Sequence, residues 1–105
     1  MNSLRISISD KLLFIIKNRF KSNNDLVIEE LNKLDDYYKT IGENISERTV
    51  AAIIKCSEND LKKFMQIINI TKNDWRDVLI SAKFHNNVNV HKTWILENYE
   101  FDIKK

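Results

Sequence analysis

Proline is absent from these 105 residues, and glycine occurs once, as Gly42. Sandwiches and barrels of strands need many turn residues, and loops that cradle phosphate need clustered glycines. Neither can be built from this inventory. Cysteine also occurs once, as Cys56, so no internal disulfide forms and nothing calls for an oxidising compartment. The longest purely apolar run, "LLFII" at 12–16, is far shorter than a membrane span or a signal-peptide core. The expectation is a cytoplasmic chain of bacterial or phage-like origin. Its length and its 43% hydrophobic content suit one domain, 1–105, with a single modest core.

With so little glycine and proline, the loops must be made of Asn, Ser and Asp, which is how short helices joined by capped corners are written. Two sextets, "CSENDL" at 56–61 and "ITKNDW" at 70–75, repeat one pattern fourteen residues apart. Each runs apolar residue, hydroxyl residue, two polar residues, Asp, apolar residue. Ser57 and Thr71 are expected to cap helix starts, with Asp60 and Asp74 reaching back as in a capping box. Cys56 with Leu61, and Ile70 with Trp75, then sit as hydrophobic staples. "ISERTV" at 45–50 and "ISDKLL" at 8–13 carry simpler forms of the signal, with caps at Ser46 and Ser9.

These signals predict helices over 9–21, 25–41, 47–55, 58–69, 72–84 and 88–98. The fold class is all-α: a single compact domain of five or six short helices, with tight corners between the third, fourth and fifth. In the second helix Leu26, Val27, Leu31, Leu34, Tyr37, Tyr38 and Ile41 form one apolar stripe, with Glu29, Asn32 and Asp36 opposite. Gly42 stands where a left-handed C-terminal cap belongs. The first helix, apolar nearly all round at 12–16, is expected at the centre. In the fourth, Leu61, Phe64, Met65 and Ile68 face inward. "LRISI" at 4–8 and "YEFDI" at 99–103 alternate apolar and polar residues, which suggests short extended termini able to pair as a ribbon.

The net charge of +2 hides an uneven spread. Residues 1–24 hold five basic and one acidic residue, 25–47 hold two and seven, and 48–105 hold ten and seven. A basic first element and an acidic second are expected to lie against each other. The overall balance gives little electrostatic pull on nucleic acid or an anionic membrane.

No constellation for catalysis or metal binding emerges. His85 and His91 are six residues apart, whereas ligands on one helix come three or four apart, so both read as surface or loop histidines. The acidic pairs Glu29–Glu30 and Asp35–Asp36 lack the Glu-then-His spacing that helical di-metal sites need. Cys56 as a nucleophile would need a distant histidine, and it stands where a small buried hydrophobe belongs. The expectation is a non-enzyme without cofactor or metal.

The stretch 49–68, "TVAAIIKCSENDLKKFMQII", resembles the helix-turn-helix motif, with Ala51, Ile54, Cys56, Leu61 and Phe64 at matching steps. The resemblance covers about a fifth of the chain. It implies a DNA-reading helix whose outer residues Asn59, Lys62, Lys63 and Gln66 meet bases and phosphates. Against it, Lys55 occupies the left-handed turn position usually held by Gly, and Glu58 and Asp60 stand where phosphates would approach. The leading expectation is therefore a non-catalytic protein-binding role of the inhibitor, immunity or adaptor type. Candidate interface residues are Glu29, Asn32 and Asp36, which could meet a basic partner, together with Arg76 and Tyr99. Trp75 and Trp94 are placed at the core or its edge.

Overall fold

A computed structural model describes residues 3–104. Ser9 starts the first helix as its sequence requires. Its backbone is extended and its hydroxyl accepts from the Leu12 N–H at 3.3 Å, so α1 runs Asp10–Phe20. A 3-10 turn, Lys21–Asn23, leads directly into α2, Asn24–Thr40. That helix stops at Gly42, whose φ of +80° is a left-handed conformation that glycine adopts without the strain a Cβ brings. The Gly42 N–H donates to the Lys39 carbonyl and the Glu43 N–H to the Tyr38 carbonyl, a complete Schellman motif. Ser46 then caps α3, Glu47–Ser57, accepting from the Thr49 N–H at 3.2 Å.

The paired sextets are corner signals in a frame three residues later than expected. Ser57 is the last residue of α3, and its hydroxyl donates back to the Ile53 carbonyl at 2.6 Å. Thr71 lies inside α4, Leu61–Asn73, and donates to the Ile67 carbonyl at 2.8 Å. The caps are the aspartates. Asp60 accepts from the Lys62 N–H and begins α4; Asp74 accepts from the Arg76 N–H and begins α5, Trp75–Ala82. Each such cap is worth about 1 kcal/mol. Because the hydroxyls are buried inside helices, the staples expected around them do not form in that frame, and Ile70 is exposed. The left-handed turn residues are Glu58 and Asn59, while Lys55 is helical. The helix-turn-helix frame, which puts the turn at Lys55, does not coincide with this corner, and Asn59 stands in the turn rather than on a helix face.

The last helix, α6, runs Val90–Ile103, so "YEFDI" is helical and not extended. "LRISI" forms an irregular arm whose alternation survives: Ile6 is buried, Leu4 and Ile8 are half-buried, and Arg5 and Ser7 are exposed. No strand, and hence no ribbon, occurs among the described residues. The six α-helices found there are the all-α architecture that the capping signals anticipate.

The centre belongs to α3 rather than α1. Five consecutive residues, Val50 to Ile54, are fully buried, and the two alanines let α4, α5 and α6 approach closely. In α1 only Leu12, Ile15, Ile16 and Phe20 face inward, and Phe14 is exposed. Phe64 from α4 closes the core edge-on against Phe20, with ring centroids 5.6 Å apart.

The arm explains why the buried stripe of α2 is rotated from the one its sequence suggests. The Asn32 side chain accepts from the Arg5 N–H and donates to the Ser3 carbonyl, both at 2.9 Å, doing for the arm what a neighbouring strand would do. Ile28, Asn32 and Asp35 are therefore buried, while Leu26, Tyr37 and Ile41 on the other edge are exposed. Basic and acidic elements do meet, since Arg5 pairs with Asp36 at 2.9 Å. Another early cation, Arg19, turns instead to α6.

Candidate functional site

The expected interface residues are scattered over three faces. Asn32 is only 8% exposed and committed to the arm. Asp36 faces solvent but holds Arg5. Glu29 and Glu30 share Lys33, and Asp35 pairs with Lys39 at 2.9 Å. Four of the five carboxylates of α2, all but Asp25, are thus matched by cations of the same chain and do not form a free anionic face. Arg76, on α5, is exposed and lies over the Trp75 ring at 5.3 Å. Tyr99, on α6, is half-buried and meets Phe14 edge-on at 5.4 Å, with Lys11 above its ring at the same distance.

The DNA candidates fare similarly. Lys62 and Gln66 are exposed on α4. Lys63 forms an ion pair with Glu58, which removes much of its charge from any approaching phosphate.

Two clefts hold polar groups already engaged in structural bonds. One of about 370 Å³ opens beneath the α2–α3 connection, with Tyr38, Glu43, Arg48 and Trp75 in its walls. The Tyr38 hydroxyl donates to the Thr71 carbonyl, and burial raises its pKa, which favours the protonated donor. Arg48 donates to the Phe84 carbonyl at the end of α5. The second cleft, about 360 Å³, is bordered by Lys55, Cys56, Glu58 and Lys63. Lys55 donates to the Ala82 carbonyl at 2.8 Å and lies over Phe84 at 5.0 Å, so it serves the C-terminal end of α5. Burial pushes the Cys56 thiol up, away from the reactive thiolate. Among the described residues no group of three His, Cys, Asp or Glu side chains could hold a metal ion.

His91 corrects the expectation of two surface histidines. His85 is exposed, but His91 is buried on α6, beside the Phe84 ring and with Nε2 3.5 Å from the Glu47 carboxylate. Its Nδ1 has no hydrogen-bond partner among the described residues. Glu47 also accepts from the Ser9 N–H, so one carboxylate joins the starts of α1, α3 and α6. Burial lowers the His91 pKa from its ordinary 6.5. Lys92 and Arg48 add to this effect, while Glu47 opposes it. A lowered pKa means that the unfolded chain binds the proton more readily. The stabilising contribution of neutral His91 is therefore complete above pH 6.5 and shrinks as the pH falls below it. Urea midpoints between about pH 7.5 and pH 5.5 are expected to fall less for His91→Gln than for the natural chain. Equal falls would show that another group carries the acid sensitivity.

The surface that sequence reasoning missed is the outer side of α1 and α6. Tyr99 and Phe14 touch there, and Leu96 and Ile103 stand one turn to either side of Tyr99 on α6. Phe14 is 39% exposed, Leu96 47% and Ile103 50%. Lys11 and Lys92 border a shallow hollow of about 280 Å³ beside Leu96. The signal lies in apolar residues on both sides of 90–103, but it shows only when 99–103 continues the helix rather than forming an extended arm. No helix of the described residues is long and apolar enough to cross a membrane. No protein-family model, curated protein or solved structure matches the chain.

Proposed function

We propose that the chain is a small non-catalytic, cytoplasmic protein-binding module of the inhibitor, immunity or adaptor kind, docking through the outer face of α1 and α6. The observation that carries this reading is the contiguous apolar group Phe14, Leu96, Tyr99 and Ile103, rimmed by Lys11 and Lys92. Exposed apolar side chains set side by side favour association, and an aromatic at the centre with long cations at the rim is the composition of a docking patch. The free thiol of Cys56 suits a reducing compartment. The arrangement moves the docking surface away from α2, where Glu29, Glu30, Asp35 and Asp36 already have partners.

The natural chain, tagged and mixed with cell extract, is expected to retain a partner protein that the Leu96→Glu variant does not. Equal retention by both, or retention of no protein at all at any salt concentration, a second copy of the chain included, would remove the proposal.

The second reading is a DNA-binding regulator using 47–69. It is favoured by the three-residue connection between α3 and α4 and by exposed Lys62 and Gln66. It requires a mobility shift on random duplex DNA at low salt that Lys62→Ala with Lys63→Ala weakens. Absence of any shift ends it.

A further inference from the structure

The outward side of α6 has the periodicity of a seam. Lys92, Leu96, Tyr99 and Ile103 recur at spacings of four, three and four residues, the a/d pattern of a helix that packs along another helix. The inward side of the same helix is separately occupied, with His91, Ile95 and Asp102 buried. Two faces of one helix are thus written for packing, and the outer one leaves Leu96 and Ile103 half in solvent.

Charge says what covers it. Lys92 stands at the first turn of the seam and Glu100 toward its last, both exposed, and among the described residues neither has an ion partner in its own chain. Arg19 and Asp102, by contrast, are matched to each other between α1 and α6. Lys11 stands with Lys92 beside Leu96, so a face with cations at one end and Glu100 toward the other complements itself under a two-fold axis. With the axis between Leu96 and Tyr99, two α6 helices lie antiparallel. Each Leu96 then faces a Tyr99, and each Lys92 reaches the end that carries a Glu100. Antiparallel macrodipoles favour the same arrangement.

We propose that a second copy of this chain docks on the α1–α6 face, with the two α6 helices antiparallel and Lys92 paired with Glu100 across the axis. The inference rests on the protein-binding reading above and names its partner. Phe14 extends the contact beside Tyr99, and the Lys11 stem covers its edge. A helix of this length spans about 20 Å. The contact therefore falls at the small end of specific interfaces, and a dissociation constant on the order of tens of micromolar is expected.

The test is sedimentation equilibrium of the full chain from about 1 µM to about 1 mM, which brackets that constant. The mass is expected to rise from 12.5 kDa toward twice that value. Lys92→Glu and Glu100→Lys should each weaken the dimer about tenfold, and the double swap should restore most of the affinity. Leu96→Glu should leave a monomer with an unchanged circular dichroism spectrum. A monomer throughout, a dimer indifferent to Leu96→Glu, or a double swap weaker than either single one would overturn the inference. If the chain is monomeric yet binds a purified foreign protein in a Leu96-dependent way, the second copy is wrong and the protein-binding reading survives. If it does neither, both fall.

Discussion

Phe64→Ala is expected to lower the unfolding free energy by about 4 kcal/mol. Phe64 is fully buried, meets Phe20 edge-on, and comes from the helix that closes the core against α2 and α3. Truncation removes the apolar area of a whole ring and leaves a cavity that rigid neighbouring helices collapse into only in part. For a domain of this size that loss corresponds to a melting temperature lower by about 20 °C, a large share of the margin small domains possess. Calorimetry of the variant checks it. A fall of less than about 5 °C would mean that the surroundings repack, and that the core is less tightly interlocked than its burial implies.

Asp102→Ala is expected to cost about 3 kcal/mol, although nothing about its place near the chain's end suggests importance. The Asp102 side chain is 1% exposed and receives Arg19 through two bonds, from Nε at 3.1 Å and Nη2 at 3.2 Å. Arg19 is 16% exposed, donates also to the Asn98 amide oxygen at 2.7 Å, and lies 5.9 Å from the Trp94 ring centroid. Removing the carboxylate leaves a guanidinium held between α1 and α6 with no opposite charge, which costs more than the intact pair contributes. The double variant Arg19→Met with Asp102→Leu is therefore expected to be more stable than Asp102→Ala alone. Denaturant melts of the three chains decide the matter. A double variant no better than the single one would mean that bond geometry, and not the stranded charge, holds α1 to α6.

Much of the fold was legible because helix ends carry local chemistry. Ser9 and Ser46 cap where their sequences place them, and Gly42 ends α2 in the only left-handed glycine conformation the chain could make. The repeated sextets were legible as corners but not in phase. A hydroxyl residue three before an aspartate permits two frames: hydroxyl as cap with Asp as box partner, or hydroxyl bonded back inside the preceding helix with Asp as cap. Local propensity ranks these almost equally. Tertiary packing decides, since both Ser57 and Thr71 are fully buried and only the second frame lets their hydroxyls find carbonyls there. The displaced ends of α3 and α4 and the displaced starts of α4 and α5 follow from that one choice.

The candidate surface was less legible, for a different reason. Asn32 reads as a solvent-facing residue on its helix, and only the arm's backbone, 27 and 29 residues away, turns it into a buried bracket. Tyr99 reads as an interface aromatic on its own helix, but its neighbour Phe14 reaches it from 85 residues earlier in the chain, beyond any local pattern. Burial of His91 likewise depends on α3 and on Phe84, which no spacing within residues 85–91 announces.

The double duty of Asp74 has a consequence for motion. It closes α4 with its N–H on the Ile70 carbonyl and opens α5 with its side chain, so no spacer residue separates the two helices. An elbow without a spacer cannot flex at its joint unless one helix end frays. Amide protons of α4 and α5 should therefore exchange with solvent through a common opening event, with similar free energies on either side of residue 74. Any slow breathing of this molecule would then lift the two helices together off α3, and the bend between them would be kept throughout.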